Sequence, residues 1–320
     1  MAKSALYLIV ATVLFSTMEV ILKLTAFSFN PVQITFSRFL IGGLFLLPFA
    51  LHHLKKAGTV LKGKDYLLFI VLGFLCVILS MVCYQISIQY INASVVAVLF
   101  CCNPVFSTLL AYLFLQEFFN LPILAALILQ LCGIGVIVNP LAITMDIKGI
   151  IFILCSTFAF SLYLVFSKKT CQRLGGITVT AFSFLGGCLV LFILIMLTHI
   201  PALSHFLTSQ GLSVLASIPL LKGYSFSNLA AIIYIYIGIT GIGYCTYLKS
   251  LEISPVSFVN LLFFFKPIIA SLLAFFILQE TISLTMKAGI ILILAGALCS
   301  IYGTRKAERA AASIEITHLR

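Results

Sequence analysis

Charged side chains are scarce in this sequence. Only 8% of its 320 residues are Asp, Glu, Lys or Arg, whereas about a quarter of the residues of a soluble domain are charged. Apolar side chains make up 62% of the chain, and its mean hydropathy is +1.24. This composition excludes an ordinary soluble domain and predicts that the chain lies in a lipid bilayer.

The sequence also lacks the short motifs of common enzyme sites. It contains no GxxxxGK(S/T) nucleotide-binding loop, no HExxH zinc motif and no GxSxG nucleophile motif. Its ten cysteines lie almost entirely in apolar segments, without the paired spacing of a zinc or disulfide framework. We therefore expect a protein that is not an enzyme and has no metal, no cofactor and no ATP site of its own.

Ten apolar segments are long enough to cross a membrane, since a span needs roughly 20 apolar residues. The first is too long for the apolar region of a signal peptide and is not followed by a small-residue cleavage site, so we expect it to be retained. We predict an all-α membrane protein whose ten transmembrane helices cover approximately residues 5–27, 31–51, 66–89, 93–115, 121–140, 148–167, 176–199, 227–248, 255–278 and 284–303.

Lysine and arginine are distributed unequally between the two sides of this predicted bundle. If the spans alternate, one side holds the basic loop 52–64 and the basic C-terminal segment, while the other side holds only Lys148, Lys222 and Lys287. The positive-inside rule then makes both termini cytoplasmic. This distribution accounts for the net charge of +11 without a nucleic-acid partner.

The sequence repeats itself. NPVFSTLLAYLFLQE at Asn103–Glu117 returns as KPIIASLLAFFILQE at Lys266–Glu280, 163 residues later, and a second pair of segments matches at an offset of 145. Each half holds five spans, an odd number, so the second half would enter the membrane upside down. We predict two inverted five-helix repeats, at residues 5–140 and 147–303, followed by a cytoplasmic tail at 304–320. Such pairs are typical of transporters with a substrate site near the midplane.

Several positions resemble the pattern of the drug/metabolite transporter superfamily, specifically its ten-helix EamA proteins. They are Phe15, Ser16, Lys23, Pro31 and Arg38 in the first two spans, and the two repeated blocks that end at Glu117 and Glu280. The resemblance implies two EamA domains, a location in the plasma membrane of a prokaryote, and transport of small metabolites, often export of amino acids or related compounds.

Lys266 and Asn103 are candidate substrate-binding residues. Each is expected near the midplane and directly precedes a proline, Pro267 or Pro104, which removes a helix hydrogen bond and predicts a helix break. Lys266 would supply a cation, and Asn103 a neutral donor and acceptor, to an anionic or zwitterionic substrate. Alternatively, Lys266 pairs permanently with an acidic residue or snorkels, and Asn103 satisfies the kink.

Glu19 is the only carboxylate well inside a predicted span. Facing a cavity, it could exchange a proton as access alternates and so act as the coupling residue. It loosely resembles the first-helix Glu of the small multidrug resistance proteins. The alternative is an ion pair with Lys23, one helical turn away.

The other polar candidates are given structural or lining roles. Arg38 and Lys23 are predicted to be structural charges, with Glu19 or helix-end carbonyls as the expected partners of Arg38. Tyr84, Tyr163 and Tyr247 are predicted to line the cavity, because buried hydroxyls need partners and aromatic rings can stack on a ligand. Glu117 and Glu280 are predicted to be boundary or gate residues.

These features predict a secondary carrier for a small polar or zwitterionic metabolite such as an amino acid, and the family resemblance implies that it is an exporter. It would work by alternating access, with protons as a candidate coupling ion and the lipid bilayer as its surroundings. The alternatives are a multidrug efflux carrier and a translocator of lipid-linked cargo or a membrane subunit. An intramembrane enzyme is disfavoured because the polar candidates include no nucleophile and base pair. The sequence does not indicate an oligomeric state.

Overall fold

The computed structural model describes residues 2–117, 119–138, 146–209, 213–280 and 283–318. Every regular element within these residues is helical, which confirms the predicted fold class. Nine of the helices found there are long and apolar enough to cross a membrane, and a further apolar helix is shorter. In chain order the helices are α1 Lys3–Thr25, α2 Pro31–Lys56, α3 Gly63–Tyr90, α4 Ala93–Leu115, α5 Leu121–Val138, α6 Ile147–Leu174, α7 Gly176–Thr198, α8 Phe226–Ile253, α9 Val256–Leu278 and α10 Leu284–His318.

Local sequence explains several helix ends. The side chain of Asn30 accepts hydrogen bonds from the backbone N–H groups of Val32 and Gln33, at 2.9 and 3.4 Å, and so caps the start of α2. Asp146 caps α6 in the same way through the N–H of Lys148. At the other end of the chain, α10 continues to His318, so the segment after residue 303, predicted as a tail, begins as an extension of that helix.

Four of the long helices are irregular near their middles. Turn residues interrupt α1 at Thr17 and α4 at Cys101 and Cys102, and α3 and α8 contain π-helical stretches at Phe74–Val82 and Tyr234–Gly243. Such irregularities in membrane helices are tolerated where the backbone is covered by protein, and π-helical turns are frequent at functional sites.

The two prolines predicted to break helices behave differently. The second part of α4 begins at Asn103, so Pro104 occupies one of its first positions, where its missing N–H costs nothing. In α9 the interruption lies at Asn260, and the helix continues through Pro267. Neighbouring helices can cover the backbone carbonyl whose hydrogen bond Pro267 removes.

Close packing of small residues joins the helices around a common core. A Cβ added at Gly73 of α3 would lie 2.1 Å from the carbonyl oxygen of Ser183 and 2.3 Å from the amide nitrogen of Gly187, both on α7. Gly133 of α5 and Gly289 of α10 also face each other closely, since a Cβ added at either would lie 2.7 or 2.4 Å from the carbonyl oxygen of the other. Helices α5 and α10 pack mainly against each other, and the buried charged side chains among the described residues lie on other helices.

Candidate functional site

Among the described residues, three charged side chains are completely buried, and they lie in the core of the bundle. Glu19 lies on α1, Arg38 on α2 and Lys266 on α9, and each has 0% of its surface exposed. Intramembrane charges are costly, so those that persist usually mark binding or ion pathways. The tyrosines buried most completely in the protein, on α3, α6 and α8, belong to the same core: Tyr84, Tyr163, Tyr244 and Tyr247.

Glu19 and Lys266 form an ion pair across α1 and α9. Lys266 Nζ lies 2.5 Å from Glu19 Oε1, a contact that lacks the alignment of a hydrogen bond. The hydroxyl of Tyr84 donates to the same carboxylate oxygen. Glu19 Oε2 has no hydrogen-bond partner among the described residues. The carboxylate therefore retains an unused acceptor inside the protein.

The alternative pairing of Glu19 with Lys23 is not formed. Lys23 Nζ instead donates to the carbonyl oxygens of Ile88 and Ile91, at 2.6 and 3.2 Å. Lys266 is instead paired with Glu19 in this structure, a residue that the sequence had singled out for another reason.

Aromatic rings surround the Lys266 ammonium. Its Nζ lies 4.9 Å from the centroid of the Phe100 ring and 5.6 Å from that of Tyr84, distances at which ring faces attract a cation. Phe100 ends the first part of α4, directly before the interruption at Cys101. The Cys101 carbonyl accepts a hydrogen bond from Gln130 of α5, so the break in α4 is covered by a side chain.

Arg38 does not have the structural partners expected from the sequence. Its Nη1 lies 3.6 Å from the sulfur of Met18, and its Cζ lies 4.9 Å from the centroid of the Phe39 ring. Within the described part of the chain, Nε and Nη2 have no hydrogen-bond partner. Glu19 is not within ion-pair distance of this guanidinium.

Asn103 joins α4 to α6 instead of reaching the Glu19–Lys266 pair. Its amide nitrogen donates to the Ser161 hydroxyl at 2.8 Å and to the Thr157 carbonyl at 3.4 Å. Its Oδ1 has no partner among the described residues. Asn103 therefore supports the interrupted helix in this arrangement.

The three predicted tyrosines are all buried, but only Tyr84 contacts a charged group directly. The Tyr163 hydroxyl lies 3.5 Å from that of Ser183, and the Tyr247 hydroxyl has no partner in the described residues. Sequence reasoning did not select Tyr244, whose ring lies 4.8 Å from that of Phe15 and 5.6 Å from that of Phe39. Its spacing of three residues from Tyr247, on one helix face, is a signal that could have identified it.

Two clusters of identical chemistry lie at the ends of the core helices. In the Lys23 cluster, Lys23 holds the α3–α4 connection as described, and Glu280 accepts hydrogen bonds from the N–H groups of Ala93 and Ser94, at 3.1 and 3.2 Å. Glu280 thereby caps the first turn of α4 with a negative charge, which favours the helix start.

The Lys168 cluster repeats this arrangement at the start of α9. Lys168 donates to the carbonyl oxygens of Leu251 and Ser254, and Glu117 accepts from the N–H groups of Val256 and Ser257, at 2.8 and 3.4 Å. Burial raises the pKa of the Glu117 carboxyl above its ordinary value, against the opposing effect of these amides and of Lys168. Beside this cluster a polar cleft of about 370 Å³ opens to the surface.

The two clusters lie at opposite ends of the same helices. Helix α4 begins in the Lys23 cluster, and Glu117 in the Lys168 cluster lies two residues past its end. A 23-residue helix extends about 35 Å, which is enough to cross the apolar layer of a bilayer. The Glu19–Lys266 pair is buried between the clusters, so the core is closed at both ends.

Known proteins resemble this chain in sequence and in architecture. The sequence model of the EamA-like transporter family matches residues 2–139 and again residues 147–302. An uncharacterised transporter of Clostridium kluyveri is 30% identical over 316 residues, covering 96% of each chain. An uncharacterised inner membrane transporter of Salmonella typhimurium, YicL, is 23% identical over 285 residues. A solved crystal structure covers 96% of this chain at a TM-score of 0.68 and 18% identity, a likeness of fold alone.

Proposed function

Because this chain belongs to the EamA-like transporter family, and is therefore a multi-pass membrane transporter, we propose that it is a secondary carrier for a small amino-acid-like metabolite. The observation that carries this proposal is the buried Glu19–Lys266 pair, closed off from both ends of the bundle. In such a site, each of the two side chains can exchange its partner within the protein for a charged group of the cargo. The proposed location is the cell membrane with both termini in the cytoplasm, and the proposed direction is export, as the resemblance of the sequence implies.

Exchange of partners would let a charged molecule enter an apolar core. A zwitterion can bring its carboxylate to Lys266 and its ammonium group to Glu19, so that each buried charge is paired before and after binding. An unpaired buried charge costs several kcal/mol, so a molecule lacking one of these groups would be discriminated against. The unused Oε2 of Glu19 offers a second acceptor for the ammonium group.

Alternating access would proceed by opening one cluster at a time. The Lys23 and Lys168 clusters use the same residue types on equivalent connections. Glu280, in the second half, accepts a hydrogen bond from a helix start in the first half, and Glu117, in the first half, accepts one from a helix start in the second. Release of one cluster would expose the core to one side while the other cluster keeps it closed. This reciprocity supports the proposed relation between two inverted repeats.

The proposal also includes a coupling ion, the proton. Glu19 would carry the proton in the part of the cycle in which neither cargo nor Lys266 pairs with its carboxylate. A proton carried one way would then be exchanged for cargo carried the other way.

Counterflow in proteoliposomes tests the carrier proposal. Vesicles holding the full chain are loaded with a pool of unlabelled amino acids, and entry of each labelled amino acid is followed. Accumulation that requires the internal pool is the expected result for a carrier. A flux that proceeds equally without the pool would indicate a channel, and absence of any amino-acid flux would contradict the proposed cargo class.

A further inference from the structure

Arg38 is a fully buried cation with no anionic partner among the described residues. Its two unpartnered nitrogens, Nε and Nη2, lie on the same edge of the planar guanidinium group. That edge is one of the two along which arginine binds a carboxylate with a pair of parallel hydrogen bonds. The other terminal nitrogen, Nη1, is directed to the Met18 sulfur. The open edge therefore has the geometry with which arginine binds a carboxylate.

This edge belongs to the same core as the Glu19–Lys266 pair. Met18, which contacts Arg38, directly precedes Glu19 in the chain. Tyr84 and Tyr244 both lie within electrostatic range of Arg38 and of Glu19. The same two tyrosines therefore connect the surroundings of Arg38 with those of the Glu19–Lys266 pair.

The charges of this core do not balance. Lys266 is compensated by Glu19, which leaves Arg38 as one positive charge in excess among the residues that the structure describes. A buried charge without a partner is strongly destabilising, and replacing such groups by apolar ones is often neutral or favourable for stability. A ligand that pairs with the guanidinium would offset this destabilisation in the bound state.

We propose that Arg38 is the anion-binding residue of the transport site, and that the cargo carries one net negative charge with a carboxylate on the Nε and Nη2 edge. This inference rests on the proposed carrier function and narrows its cargo class. An acidic amino acid satisfies every charge: its ammonium group pairs with Glu19, one carboxylate with Lys266 and the other with Arg38. A simple monocarboxylate would bind Arg38 and leave the Glu19–Lys266 pair intact.

Glutamate and glutamine are a suitable pair of probes, because they have nearly the same shape and differ by one negative charge. Lactate serves as the monocarboxylate. Counterflow of each is measured for the wild type, Arg38→Met, Arg38→Lys and Lys55→Gln. Lys55 is an exposed cation on the same helix, so Lys55→Gln controls for loss of a positive charge from α2.

We expect the wild type and Lys55→Gln to prefer an anionic probe to glutamine by about tenfold or more, as charged hydrogen bonds of this kind imply. Arg38→Met loses that preference, and Arg38→Lys keeps part of it because the charge remains but the forked geometry does not. A wild type that transports glutamine as well as the anions, with an unaltered ratio in Arg38→Met, would overturn the anion assignment while leaving the carrier function in place.

Thermal unfolding without cargo separates this role from a structural one even if none of the probes is transported. A structural Arg38 would stabilise the empty protein, so Arg38→Met would unfold at a lower temperature than the wild type. An anion-binding Arg38 destabilises the empty protein, so Arg38→Met unfolds at the same or a higher temperature. A clear fall in the unfolding temperature of Arg38→Met therefore overturns the proposal.

Discussion

Lys266 and Glu19 illustrate how strongly a buried pair constrains both of its members. Removing only the lysine leaves a carboxylate in the core with the Tyr84 hydroxyl as its one remaining partner. A carboxylate without a counter-ion must then be neutralised by a proton, or it lowers the stability of the folded protein. The same residues can therefore be required for transport and for folding, and a single substitution cannot distinguish these roles.

Lys266→Met is predicted to destabilise the protein by about 3–5 kcal/mol, the usual effect of breaking a buried pair by removing one partner. The double variant Lys266→Met with Glu19→Gln should recover most of this loss, since no buried charge is stranded. Neither variant should catalyse counterflow, because the charges that exchange with cargo are gone. Thermal unfolding in detergent and counterflow of the pooled amino acids measure both effects. Counterflow at the wild-type rate in the double variant would contradict a binding role for the pair.

Glu19→Gln alone tests the coupling role. We expect this variant to lose uptake driven by a pH gradient, because an amide cannot carry the proton. The dependence of the transport rate on pH should disappear with it. The measurement compares initial rates between pH 5.5 and 8.5, with and without a gradient. An unchanged pH profile would remove Glu19 from the coupling mechanism.

Individual site residues were predictable from the sequence to different degrees. The selection of Lys266, Glu19 and Arg38 followed from the cost of intramembrane charge, which depends on position along the chain alone. The partner of Glu19 did not follow, because the nearest cation along the helix, Lys23, is held by carbonyls of the α3–α4 connection. Whether α1 meets α9 or another helix is decided by packing, and one sequence does not encode that choice in any local pattern.

At the scale of single helices, apolar length predicted the spans closely. Their interruptions were harder to predict. Proline marked the break in α4 because Pro104 lies two residues after the turn at Cys101 and Cys102, but in α9 the break falls at Asn260 and Pro267 lies inside the helix. The π-helical stretches in α3 and α8 have no sequence signal of their own, since they depend on neighbours that hold the widened turn.

The contact between α3 and α7 offers a test of helix packing with a matched control. Gly73→Ala should destabilise the protein, because the added Cβ would meet backbone atoms of α7 at 2.1–2.7 Å. Gly63→Ala, at the start of the same helix, has no atom within 4 Å of the added Cβ and should leave stability unchanged. The yield of folded protein and its unfolding temperature measure the difference. Equal values for the two variants would mean that α3 and α7 are not in this close contact.

At the scale of the whole molecule, the two clusters at the ends of α4 and α9 constrain any motion. In each cluster a lysine donates hydrogen bonds to the carbonyl groups of a helix connection. In each, a glutamate of one half also accepts hydrogen bonds from a helix start of the other half. The repeated blocks Asn103–Glu117 and Lys266–Glu280 predicted that equivalent residues exist. The reciprocal capping between halves was not predictable, because it arises only when the halves are packed together.

Opening of the two clusters should expose the core to opposite faces of the membrane. Cys101 is suited to report this, since it is fully buried beside the interruption in α4 and within electrostatic range of Lys266 and Glu19. We predict that Glu117→Gln increases labelling of Cys101 by a membrane-impermeant maleimide applied to the face that holds Lys168. Glu280→Gln should increase it from the other face, because each change removes the charge that caps one helix start.

Labelling is measured by peptide mass spectrometry on right-side-out and inside-out vesicles. Buried Cys188, which contacts the Phe36 carbonyl between α2 and α7, serves as the internal control and should stay unlabelled in both variants. Labelling of Cys101 from one face in the first variant and from the other face in the second would mean that two equivalent clusters, in opposite orientations, control access to a single core. Labelling from the same face in both variants would contradict the inverted relation of the halves, because inversion requires their equivalent glutamates to lie on opposite sides of the bilayer.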